Sequence, residues 1–162
     1  MRCLVSGSFD PITKGHIYLV KKALAIADEV YVAVFNNETK SYMFSMEERV
    51  EIAKKTLKDI ANVKVFGYDG YAVDFCKEYG IDFIVRGFRN ETDYAYERDM
   101  AKWNMEHGGI ETLILPCKDE RLSAVSATSA REGIDAESEE LDRYLEESTL
   151  ETIKELRKKY GK

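Results

Sequence analysis

Five short, mostly apolar runs follow one another along the chain, and a helical pattern separates each from the next. The runs cover residues 2–5, 29–35, 63–66, 83–85 and 112–115. They do not show the strict alternation of a strand with one wet face. Strands this short and this apolar are covered on both sides, the arrangement of a parallel sheet flanked by helices. The intervening segments carry helix signals. Residues 14–27 place Ile17, Val20, Leu24 and Ala27 on one face. Ser45 and Glu48 form a capping box that opens a helix running to about Asp59. Residues 72–79 make a short helix stopped by Gly80, and residues 92–107 a longer one stopped by Gly108 and Gly109.

The pattern predicts an α/β fold: a Rossmann-like, doubly wound, parallel five-stranded sheet with a helical C-terminal tail. Any ligand site belongs in the crevice at the carboxyl ends of the strands. Past Pro116 the pattern changes. Residues 126–131 open one short helix, residues 135–140 form an acidic surface turn, and a second capping box at residues 148–151 starts a terminal helix reaching about Tyr160. The 162 residues read as one domain, with a core over 1–133 and a tail over 134–162.

Charge narrows the function. A formal net charge of −6 argues against nucleic-acid binding, which favours a basic footprint. It leaves room for a small anionic substrate in a locally basic pocket. Cys3, Cys76 and Cys117 are widely spaced and show no metal-binding pattern. They fit buried thiols in a reduced cytoplasmic setting. No apolar run approaches the ~20 residues of a membrane span, and the first residues lack a signal-peptide pattern.

The chemistry is concentrated in four strings. The first loop reads Gly7-Ser8-Phe9-Asp10-Pro11-Ile12-Thr13-Lys14-Gly15-His16 and joins the first strand to the first helix. Glycine allows close backbone approach, and free N–H groups at a helix start favour an anion. Asp10 reads as a loop cap rather than a substrate contact. Arg86-Gly87-Phe88-Arg89-Asn90 leaves the fourth strand at the same edge, with two arginine forks suited to phosphate oxygens. Lys40 lies in the stretch between the second strand and its helix, and Ser126-Ala127-Thr128 open the short helix near residue 130. Trp103 and Tyr96 read as core or interface residues, and His107 as a structural helix-end histidine.

The first string resembles the signature of the nucleotidyltransferase superfamily. The string Arg86-Gly87-Phe88-Arg89-Asn90-Glu91-Thr92-Asp93-Tyr94-Ala95-Tyr96-Glu97 is similar to one that marks the phosphopantetheine adenylyltransferases within it. Residues 39–49 and 125–131 resemble two further elements of that family. The resemblance runs from Arg2 to about Gly133. It implies transfer of the adenylyl group of ATP to 4'-phosphopantetheine, giving dephospho-coenzyme A and pyrophosphate, with Mg²⁺ as the counter-ion of ATP and a homohexameric assembly. It assigns catalysis to His16, Lys40 and Arg86. The ATP side would comprise Ser8, Phe9, His16, Gly87, Arg89, Glu97, Ser126, Ala127 and Thr128. The acceptor side would comprise Ser8, Lys40, Ala72 and Arg86, and no protein side chain would hold a metal.

The chain departs from the family at several places. Ala127 replaces a usual serine, residues 119–123 carry a small insertion, and Glu146-Glu147 replace a usual Leu-Pro pair. Ala72 stands where a bulkier Leu or Met usually lines the pantetheine site. This keeps open a related adenylyl- or cytidylyltransferase with another phosphorylated acceptor. A catalytically silent nucleotide or coenzyme A sensor is the alternative outside enzymes.

Overall fold

A computed structural model describes residues 1–117, 122 and 125–161. The insertion expected over residues 119–123 therefore lies outside the described residues except for Leu122. Five strands form one sheet: β1 (Arg2–Gly7), β2 (Glu29–Phe35), β3 (Val63–Tyr68), β4 (Phe83–Phe88) and β5 (Glu111–Pro116). Their spatial order is β3-β2-β1-β4-β5, and every pair is parallel. The order reverses between β1 and β4, which opens a crevice outside their carboxyl ends.

Helices α1 (Lys14–Leu24), α2 (Met46–Leu57), α3 (Ala72–Tyr79) and α4 (Glu91–Gly108) are the crossovers. Two more, α5 (Ala127–Asp135) and α6 (Glu147–Tyr160), follow the sheet. The two faces of the sheet build separate cores. Val5, Val32 and Val85 look toward α1, α2 and the tail, where Ile52, Ile153 and Leu156 join them. Leu4, Tyr31, Ala33 and Ile84 look the other way, onto Phe75 and Cys76 of α3. Successive strand residues pointing to opposite buried faces explain why the strands read as continuous apolar runs.

Several boundaries differ from the sequence reading. Helix α1 ends at Leu24 rather than Ala27. The expected second capping box is absent: α6 begins at Glu147, its N-cap Glu146 makes no side-chain bond, and Ser148 lies inside the helix, where its carbonyl accepts from Thr152 Oγ1. Helix α6 is held instead by packing on α2, including a 2.6 Å bond between Thr56 and Thr149 hydroxyls. Cys3 and Cys76 are buried as expected, whereas Cys117 is half-exposed. Among the described residues, no helix is long and apolar enough to cross a membrane.

Candidate active site

A cavity of about 680 Å³ occupies the crevice at the β1/β4 switch, a volume suited to a small ligand. The starts of α1, α4 and α5 all border it, through His16, Asp93 and Thr128 respectively. Three positive dipole ends therefore border one space. Among the described residues, five cationic side chains line it (Lys22, Lys40, Arg86, Arg89, Arg131) against three carboxylates (Asp10, Asp93, Glu97). The pocket is locally basic on an acidic chain.

His16 occupies the third position of α1, where a capping box normally carries Glu or Gln. Its backbone N–H donates to Thr13 Oγ1, and its ring Nδ1 accepts from the Thr13 N–H at 2.9 Å. Because Nδ1 is an acceptor, the neutral ring carries its proton on Nε2. Burial, followed by the charges of Arg86 and Arg89, lowers the pKa from 6.5 to about 4. At neutral pH the cavity is thus offered a neutral N–H donor of fixed tautomer. Phe9, buried and packed edge-on to this ring at 4.8 Å, holds it in place.

Arg86 comes from the end of β4. Its Nε and Nη2 donate to the two carboxylate oxygens of Glu97, each at 2.8 Å, and Nη1 donates to Ser6. Glu97 is 6 % exposed, so the fork–fork pair is largely withdrawn from water. Arg86 and Glu97, read from the sequence as belonging to opposite sides of the site, form one unit here. Arg89 bonds Asp93 and reaches the Val125 carbonyl, tying the start of α4 to the approach of α5. Ser126 caps α5 through the Ser129 N–H.

Ser8, Lys40, Gly87, Ala127 and Thr128 also line the cavity. Ala72 does not. It opens α3, with its side chain against the core on the far face of the sheet. Neighbouring Tyr71 is turned to Trp103, and Trp103 stacks in turn on His107, whose Nδ1 lies 2.9 Å from the Trp103 carbonyl.

Three residues matter more than the sequence reading implied. Asp10 is 2 % exposed, and its carboxylate accepts from the backbone N–H groups of Met43 and Phe44 at 2.8 and 3.0 Å. It caps a loop, but one more than thirty residues away, the one that carries Lys40. Arg131 completes the connection by donating to the Asp10 carbonyl and to Thr128 Oγ1. Arg49 is 1 % exposed and donates to the carbonyls of Ser8, Phe35 and Phe44 and to Asn36. Its signal was present in the sequence: it falls in the apolar stripe of α2 with Ile52, Ala53 and Leu57. A cation in such a stripe needs several buried acceptors.

The cytidylyltransferase-like family model matches residues 4–133. Phosphopantetheine adenylyltransferase of Cutibacterium acnes is 48 % identical over 116 residues, covering 72 % of this chain and 74 % of that protein. The chain belongs to the phosphopantetheine adenylyltransferase family. The Streptomyces coelicolor member is 43 % identical over 71 % of this chain and 72 % of its own length. The Bacteroides fragilis member is 40 % identical over 81 % and 87 %. A solved nicotinic acid mononucleotide adenylyltransferase of Plasmodium falciparum, complexed with NaAD, superposes with a TM-score of 0.70 over 96 % of this chain and 95 % of its own, at 16 % identity. At that identity the likeness is one of fold. Family membership accounts for the glycine-rich first loop and the arginine string meeting at a single cavity.

Proposed function

We propose that this enzyme transfers the adenylyl group of ATP to 4'-phosphopantetheine, releasing pyrophosphate and forming dephospho-coenzyme A. The observation that carries the reading is the meeting of a neutral, tautomer-fixed His16 with Lys40 and Arg86 in one basic cavity. The acceptor phosphate is already ionised, so its in-line attack on the α-phosphorus needs no general base. The protein's task is to bring two anions together and to stabilise charge on the transferring group. Lys40 and Arg86 hold the acceptor phosphate, with Ser8 beside them. His16 donates from Nε2 to an α-phosphate oxygen as its charge grows. Arg89 serves the ATP side. Glu97 serves the ATP side too, while its carboxylate also holds Arg86, and the start of α5 at Ser126, Ala127 and Thr128 receives the terminal phosphates. Ala72 has no part in this cavity.

Mg²⁺ supplies charge neutralisation on the triphosphate when bound. The three lining carboxylates are each engaged, Asp10 by backbone N–H groups, Asp93 by Arg89 and Glu97 by Arg86. That donor set suits an ion carried by phosphate oxygens rather than by side chains. The enzyme works in the cytoplasm as a homo-oligomer, a hexamer. Support for assembly comes from Tyr94, Tyr96, Met100 and Met105, which α4 leaves exposed, while its two fully buried side chains are the polar Glu97 and Asn104. Cys3 and Cys76 are buried thiols, in keeping with a reducing compartment.

A pyrophosphate-release assay with a panel of phosphorylated acceptors tests the reading. Turnover is expected with 4'-phosphopantetheine above nicotinamide mononucleotide and glycerol phosphate. Release with another acceptor and none with 4'-phosphopantetheine would overturn it.

A further inference from the structure

We propose that Tyr42 is a positioning residue for Lys40, its hydroxyl closing the loop that aims the lysine into the cavity. This rests on the reading that Lys40 meets the acceptor phosphate. Lys40 lies on the connection between β2 and α2, and among the described residues its ammonium has no hydrogen-bond or ion-pair partner. A lysine on an open loop would spread its charge over a wide volume, and binding would have to restrict it.

The loop is closed instead. The Asn37 N–H donates to Tyr42 Oη at 2.6 Å, and Tyr42 Oη donates back to the Asn37 carbonyl at 3.5 Å. Inside that ring, the Lys40 N–H donates to the Asn37 carbonyl at 2.9 Å, and Thr39 bonds the Asn37 side chain through both its N–H and its hydroxyl. The remaining bonds are local to the turn. Among the described residues, the tyrosine hydroxyl is the direct bond between the outgoing limb and the incoming one, and Arg49 bridges the base of the loop from α2 through the Phe35 and Phe44 carbonyls and Asn36.

The ring is itself held. The Arg49 guanidinium stacks over it at 4.0 Å, and Arg49 is anchored by Ser8, Phe35 and Phe44 carbonyls. The outgoing limb is fixed next door, where Met43 and Phe44 donate to Asp10. A tyrosine that merely filled space would need its ring but not a bond to the backbone five residues earlier. Arg49 holds the base of the loop, and this hydroxyl closes it nearer the tip, where Lys40 sits between the two limbs.

The experiment is a double-mutant cycle in steady-state kinetics on the full chain, with Tyr42→Phe, Lys40→Ala and both together. Tyr42→Phe keeps the ring on Arg49 and deletes the bond. The expected result is an acceptor KM raised about three- to ten-fold, the factor carried by one neutral hydrogen bond, with the ATP KM and the thermal midpoint little changed. In the Lys40→Ala background the same change should add nothing. Additive effects would mean that Tyr42 touches the acceptor directly. An unchanged acceptor KM in Tyr42→Phe would mean that the bond only shapes the loop. Either result overturns the proposal. An unchanged acceptor KM in Lys40→Ala alone overturns the lysine's role, and this inference falls with it.

Discussion

His16 shows how one side chain can be committed twice. It closes the capping box of α1 through Nδ1 and presents Nε2–H to the cavity, so the contact that starts the helix also selects the tautomer. His16→Ala is expected to lower kcat roughly 10²-fold or more and to change the ATP KM little, because charge on the α-phosphate is greatest in the transition state. With its pKa lowered from 6.5 to about 4, His16 is neutral in the free enzyme from pH 5 to 8. The profile of kcat/KM should therefore carry no limb from His16 in that range; a loss of activity above pH 6.5 that His16→Ala removes would show that the imidazolium is the working form. The same shift acts on stability. An unfolded chain takes up the proton near pH 6.5 and the native one does not, so stability is full above that pH and declines as pH falls toward 4. Arg86 carries a second prediction at this scale. Arg86→Ala strands the buried Glu97 carboxylate, and a cost of about 3 kcal/mol is expected in chemical denaturation. Adding Glu97→Gln should recover most of that stability without recovering activity.

Helices α3 and α4 approach closely at Gly108. A Cβ at Gly108 would come within 2.6 Å of Val73 Cγ1, and Val73 is buried against the sheet. Gly108→Ala should cost roughly 1–3 kcal/mol through overpacking, read as a lower thermal midpoint. Gly109 has φ 61° and nothing within 4 Å of a built Cβ, so its glycine is required by the left-handed helix end and not by space. From the sequence, the pair Gly108-Gly109 was legible only as a helix stop. That one glycine serves conformation and the other packing depends on α3, thirty residues earlier. The start of α6 teaches a related lesson. Residues 148–151 match a capping box, yet the helix begins two residues earlier, with Glu146 and not Ser148 as its N-cap, and is held by contact with α2, including Thr56 with Thr149.

At the scale of the whole molecule, α4 is the unusual feature. An 18-residue helix whose fully buried side chains are polar, and whose tyrosines and methionines face outward, is poorly explained by one chain alone. Light scattering at micromolar concentration is expected to give a multiple of the 18.6 kDa chain mass. Met100→Lys should lower that mass or weaken the assembly, while a wild-type monomer would remove the case for a hexamer. The same helix also carries Glu97, which holds Arg86, so α4 borders the cavity as well as presenting this exposed face.

The order of strands and helices, the parallel sheet and the two glycine-rich and arginine-rich strings were all legible in the sequence. Each rests on information within about fifteen residues: periodicity, caps, stops and the residue types phosphate requires. Arg49 in the apolar stripe of α2 passed unread, although its spacing with Ile52 and Ala53 lies in the sequence. What the tertiary structure decided was who pairs with whom. Asp10 holds a loop more than thirty residues away, Arg86 is claimed by Glu97, Tyr42 closes the turn beneath Lys40, and Ala72 faces the other core. None of these follows from local pattern, because a buried polar group is satisfied by whatever the fold brings within about 3 Å, and that is set by the way the chain is wound about β1 and β4 and not by the order of residues along the chain.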